Sequence, residues 1–144
     1  MNPWTTVSSG LLFPLHEALK GHRSVAMHRE LERTQWLSPD ELDAVQTANL
    51  RAFLARIGAS VPYYRSLFRE AGFDPARVRS RDDLAALPFL TKPLIRDHND
   101  ALKAADAGKL KRYNTGGSTG EPLVFYMGID RISHDVAAKW RATR

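Results

Sequence analysis

Cysteine is absent from this 144-residue chain. Disulfides, thiolate metal sites and cysteine nucleophiles are therefore excluded, and the composition is the one expected in a reducing compartment. Long apolar runs are missing too. The best of them, Leu11-Leu12-Phe13-Pro14-Leu15, is far too short to span a bilayer and lacks the preceding basic segment of a signal peptide. The expectation is a cytoplasmic protein without membrane insertion. His16, His22, His28, His98 and His134 fall at no H-x-x-H or H-E-x-x-H spacing, so no metal ligands are expected among them. Positive charge is not gathered into a block either. The net charge is +5, but Arg51, Arg56, Arg65, Arg69, Arg77, Arg79 and Arg81 are scattered among acidic residues and no groove-reading motif accompanies them. That pattern describes a solvated mixed-charge surface rather than a nucleic-acid partner.

What the chain does have is enough apolar material for a core, 43% hydrophobic against 26% charged residues. Residues 1–20, with Pro3 and Pro14, read as an irregular arm. A helix is expected from Ser24 to Gln35, burying Val25, Met27, His28, Leu31 and Trp36. Ser38-Pro39-Asp40-Glu41 then combines an N-cap, a proline at the first helical position and a capping box. The helix it starts carries Leu42, Val45, Leu50, Phe53, Leu54 and Ile57, with Gly58 as its expected stop. Pro62 opens another helix bearing Tyr63, Tyr64, Leu67 and Phe68, closed by Gly72. The adjacent tyrosines read as core and rim packing. Ser80 with Asp83 caps a short helix over Leu84–Leu87, so capping accounts for the Asp82–Asp83 pair more simply than acid/base chemistry. Thr91 caps a further short helix with Leu94 and Ile95 inward, and Lys92 reads as solvated. A terminal helix after Gly128, capped by Asp130, is expected to be the least anchored element.

The distinctive stretch comes near the end. Thr115-Gly116-Gly117-Ser118-Thr119-Gly120-Glu121-Pro122 places three glycines and three hydroxyls between Leu110–Asn114 and Leu123–Met127, both of which read as strands. Glycines leave room for successive backbone N–H groups to converge on an anion, hydroxyls add donors, and Pro122 fixes the exit. The loop is not a P-loop, which needs lysine after the last glycine and a helix beyond it. Nor is it the dinucleotide fingerprint, which needs G-x-G-x-x-G. By itself it also fits a plain flexible hairpin.

The pattern [ST]-[SG]-G-[ST]-T-G-x-P between strands resembles the phosphate-binding loop of the adenylate-forming superfamily of acyl and aryl coenzyme A ligases. Upstream, Ser60-Val61-Pro62-Tyr63-Tyr64-Arg65, Ser80-Arg81-Asp82-Asp83-Leu84 and Leu87-Pro88-Phe89-Leu90-Thr91-Lys92 resemble the phenylacetate-coenzyme A ligase group and its capsular-polysaccharide relatives. The resemblance covers residues 30–144. Members of that group are much longer, which makes an N-terminal piece the expectation. In this reading residues 1–108 are the helical segment of an adenylation domain and residues 109–144 the start of its nucleotide-binding core. The parent fold is α/β, and this part is mostly α-helical with the first strands and the phosphate loop.

The resemblance implies an AMP-forming carboxylate–coenzyme A ligase acting on an aryl or phenylacetate-like acid, with ATP, magnesium and coenzyme A. Thr115, Ser118 and Thr119 would supply hydroxyls to the phosphates, and Gly116, Gly117 and Gly120 would let the backbone close in. Glu121 departs from the pattern, since many superfamily members carry lysine there; Lys109, Lys111 or Arg112 are the cations placed to compensate. No catalytic or metal-binding residue is assigned, and these residues alone are not expected to catalyse adenylation. The alternatives are a capsule-biosynthesis member of the same superfamily, a non-catalytic helical interaction module, and a small basic nucleic-acid binder.

Overall fold

A computed structural model describes residues 3–116 and 122–143. In chain order the elements are α1 (Pro3–Val7), a π-helical turn (Ser8–Leu12), α2 (Phe13–Leu19), α3 (Ser24–Thr34), α4 (Pro39–Ser60), α5 (Pro62–Glu70), two 3₁₀ turns (Pro75–Arg77 and Arg81–Ala86), α6 (Lys92–Asp97), β1 (Lys111–Asn114), β2 (Val124–Met127) and α7 (Ile129–Ala142). Among the described residues the fold is thus mostly helical with one two-stranded antiparallel sheet, as expected for this stretch. Two compact units are present, residues 1–37 with 127–144, and residues 38–126. Among the described residues no helix is long and apolar enough to cross a membrane.

In the first unit, residues expected to be irregular are helical instead. Proline inside a helix loses a hydrogen bond and its ring crowds the carbonyl four residues back. The π-helical turn lies just before Pro14 and returns the Phe13 N–H to the Ser8 carbonyl, so the wider turn accommodates the ring without ending the helix. α3 forms where its pattern places it, with His28 buried and Val25 and Leu31 partly so. Trp36, expected inside, is 84% exposed because α3 ends at Thr34 and the indole lies past its last turn.

At α7 the expectation fails on both counts. Gly128 occupies the N-cap and Asp130 lies in the first turn, where its charge complements the helix dipole. The helix is firmly held: Ser133 and Ala137 have no exposed surface, the Arg23 N–H donates to Ser133 Oγ at 3.1 Å, and that hydroxyl donates to the Ile129 carbonyl at 2.9 Å. Trp140 adds an edge contact to Phe13, with ring centroids 5.1 Å apart.

α2 carries a buried carboxylate. Glu17 accepts from Ser24 Oγ at 2.5 Å and pairs with His22 Nδ1 at 3.1 Å. Burial alone would raise its pKa, but the hydrogen bonds from Ser24 and His22 and the nearby positive charge outweigh this and hold the carboxyl below its ordinary value. A depressed folded-state pKa contributes stability at neutral pH that is lost as pH falls through it. Acid titration of the full chain should therefore show stability declining below the ordinary carboxyl value of 4.5, and Glu17→Gln should flatten that decline. An unchanged acid limb in this variant would contradict the assignment.

In the second unit Ser38 starts α4 as its capping box dictates. The Glu41 N–H reaches Ser38 Oγ at 3.4 Å, and the Ser38 N–H donates to Glu41 Oε2 at 2.8 Å. Leu50, Leu54 and Ile57 meet Phe68, Val78 and Leu67 in the core. Leu42 and Phe53 fall off that stripe, and Phe53 is 57% exposed despite its apolar character. α5 ends as expected, with Gly72 at φ +60° and the Phe73 N–H returning to the Phe68 carbonyl at 2.8 Å.

Gly58 does not stop α4, which continues to Ser60. Its role is contact. A Cβ there would lie 2.9 Å from Cδ2 and 3.1 Å from Cε2 of the buried Phe68 ring. Alanine would gain about 1 kcal/mol of helix propensity but overpack the corner by about 1–3 kcal/mol. Gly58→Ala should therefore lower stability by about 1 kcal/mol net in urea unfolding, and that penalty should shrink when the substitution is made in a Phe68→Leu background. A more stable single variant would contradict the close-contact account.

Candidate functional site

The site is built from the two strands and what holds them. Tyr113 and Phe125 stack across the ladder at 5.9 Å, a cross-strand aromatic pair of the kind that sets register. Residues 98–107 flank β2. Asn99 Nδ2 donates to the Val124 carbonyl at 3.3 Å, and Lys103 lies over the Tyr126 ring, its Nζ 4.2 Å from the centroid. Asp100 accepts from the same ammonium at 2.8 Å and raises its pKa.

That flanking segment is tied to the helical corner. The Ala105 N–H donates to the Ser60 carbonyl at 2.7 Å, and the Tyr63 N–H to the Ala101 carbonyl at 3.0 Å. A cavity of about 350 Å³ lies beside β2, walled by Tyr64, Leu90, Ile95 and Tyr126 with Asn99 and Lys103 at its polar edge. Sequence reasoning misses Lys103. The available signal is its i,i+3 spacing from Asp100.

Past the sheet the chain narrows to a neck. The Thr115 N–H donates to the Leu123 carbonyl at 3.0 Å, and the Leu123 N–H donates to Thr115 Oγ1 at 2.9 Å. In a continuing antiparallel ladder the second bond would go to the Thr115 carbonyl. The side chain takes that place, so regular pairing stops at Thr115 and Leu123. A hydroxyl that accepts one bond still has its own proton to donate. Thr115 therefore serves first as a latch and keeps a donor in reserve.

Gly116 follows, and a Cβ on it would stand in open space. Packing against the described residues thus does not require glycine there. Of the six residues expected to hold phosphate, Thr115 and Gly116 stand directly after β1; Gly117, Ser118, Thr119 and Gly120 lie outside the described residues, as does Glu121. Lys109, Lys111 and Arg112 are exposed on or just before β1.

Elsewhere, Asp83 accepts from the Arg79 N–H at 2.6 Å and the Ser80 N–H at 3.1 Å, and these backbone donors hold it below the usual carboxylate range. This is the capping role that the sequence suggests. Tyr63 and Tyr64 meet edge to face at 5.4 Å. Among the described residues no group of three or more His, Asp or Glu is gathered to hold a metal ion.

Three curated proteins align with the chain. The "Phenylacetate-coenzyme A ligase" of Escherichia coli is 32% identical over 118 residues, 78% of this chain and 27% of that protein. Proteins of the same name from Thermus thermophilus and Aromatoleum evansii are 37% identical over 90 residues and 34% over 97. These cover 61% and 66% of this chain, and 20% and 22% of the respective relatives. By sequence, the chain belongs to the phenylacetate-coenzyme A ligase group. It spans about a quarter or less of the length of these relatives. No protein-family model matches it.

Within such a ligase-like chain the latch has a measurable signature. Thr115→Val removes the acceptor of the Leu123 N–H at a cost of about 1 kcal/mol, which corresponds to about fivefold faster exchange of that amide. Thr115→Ser should restore protection. Equal protection in the valine variant, followed by NMR hydrogen exchange, would remove the side chain from the neck.

Proposed function

We propose that this chain supplies the N-terminal helical region and the phosphate-holding loop of an ATP-dependent, AMP-forming carboxylate–coenzyme A ligase acting on an aryl or phenylacetate-like acid. The observation that carries the reading is the Thr115–Leu123 latch. It opens the strand pair at the residue where the glycine- and hydroxyl-rich motif begins, in a chain related to proteins named for this chemistry. In this reading the acid's carboxylate attacks the α-phosphorus of ATP, giving acyl-AMP and pyrophosphate. The thiol of coenzyme A then displaces AMP.

The loop's contribution is positioning and electrostatics. Hydroxyls of Thr115, Ser118 and Thr119 and the backbone freed by Gly116, Gly117 and Gly120 would hold the β- and γ-phosphates so that the α-phosphorus lies in line and the leaving pyrophosphate is stabilised. Magnesium, which the resemblance implies, finds no acidic cage among the described residues, and no step is assigned to it. Nothing in the geometry favours the capsule-related branch over the aryl-acid ligases, and the latch argues against a simple hinge in an interaction module.

The test is acid-dependent pyrophosphate release by the complete gene product. Joint replacement Ser118→Ala, Thr119→Ala and Gly120→Ala should lower release at least about a hundredfold. Undiminished release would remove the loop from the mechanism.

A further inference from the structure

In the first unit, one buried side chain carries a ring nitrogen whose surroundings leave it unsatisfied among the described residues. His28 lies on α3 with its side chain 6% exposed, and among the described residues its Nε2 has no hydrogen-bond partner. A ring nitrogen buried in this way should find one. An anionic oxygen, Glu32 Oε1, stands one helical turn on and 3.6 Å away. That is too far for an N–H···O hydrogen bond.

The separation suits an ion between them. A zinc ion about 2.1 Å from an imidazole nitrogen and from a carboxylate oxygen, with those atoms 3.6 Å apart, subtends an angle of about 120°, close to tetrahedral. Helical i,i+4 spacing is also the spacing at which two ligands on one helix share a metal. We infer that His28 and Glu32 form a two-ligand binding site for a divalent transition-metal ion of the zinc class, with water in the remaining positions.

Two further features support it. Trp140 of α7 stacks on the imidazole, centroids 4.1 Å apart and planes 28° from parallel, so packing fixes the orientation of the ring. A cavity of about 360 Å³ lies beside the pair, lined by His28, Glu32, Gly10, Pro14 and Arg29, and gives an ion an approach from the partly exposed Glu32 side, Nε2 itself being buried. Arg29 in its lining opposes a cation, which together with only two protein ligands makes the site exchangeable rather than structural. The contrast is His22, whose ring nitrogen is already engaged by Glu17 at 3.1 Å.

Calorimetric titration of the intact chain with zinc chloride in a non-chelating buffer tests this. One saturable site is expected, weakened at least tenfold by His28→Asn and by Glu32→Gln and unchanged by His22→Asn. Because His28 is buried, its replacement can disturb folding. Glu32 is partly exposed, so Glu32→Gln, with an unaltered circular dichroism spectrum, is the decisive variant. Absence of saturable binding, or binding that Glu32→Gln leaves intact, would overturn the site.

Discussion

The approach of the Phe68 ring to the bare Cα of Gly58 fixes the corner between α4 and α5, and the candidate site hangs from that corner. Ser60 and Tyr63, on either side of buried Val61, use their main-chain groups to hold Ala105 and Ala101. The segment so held carries Asn99 to the Val124 carbonyl and Lys103 to the face of Tyr126. β2 is thereby fixed, β1 pairs with it, and the latch at Thr115 and Leu123 ends the pairing where the motif starts. A short sheet of two strands has little stability of its own. Here it borrows order from a helical core through a few named hydrogen bonds.

The other unit relies on small side chains. Ser133 and Ala137 let α7 lie close against α3, and Ser133 both accepts from the Arg23 backbone and donates within its own helix. Close packing brings Trp140 onto His28 and Phe13. It also leaves the imidazole with a nitrogen that the described residues do not satisfy, the observation behind the proposed ion site.

Much of this is legible where local chemistry decides the outcome. The Ser38–Glu41 and Ser80–Asp83 boxes, the stop at Gly72 and the two strands around the loop depend on residues within a few positions of each other, and they stand where the pattern puts them. The failures have a common cause. Pro14 is tolerated because a π turn precedes it, Gly58 is explained by the ring of Phe68 in the next helix, and the anchoring of α7 comes from α3, far earlier in the chain. The last two partners lie outside a local window, and the π turn, though adjacent to Pro14, carries no residue pattern that marks it. Trp36 and Phe53 mislead for a related reason: apolar character marks what a core could take, while only the three-dimensional stripe determines what it does take. At the site, the motif reads Thr115 as a phosphate donor. Its geometric role as the acceptor of the Leu123 N–H depends on the partner strand and carries no signal in composition.

The proposed role of the loop reduces to one physical statement: beyond the latch, hydroxyls and glycine-freed backbone hold the phosphates of a nucleotide. Isothermal calorimetry of the complete gene product with ATP and magnesium measures this without depending on turnover or on the identity of the acid. The account predicts saturable one-to-one binding that is weakened when Thr115→Val loosens the latch. Absence of binding heat at any ATP concentration, from a folded protein, would contradict it.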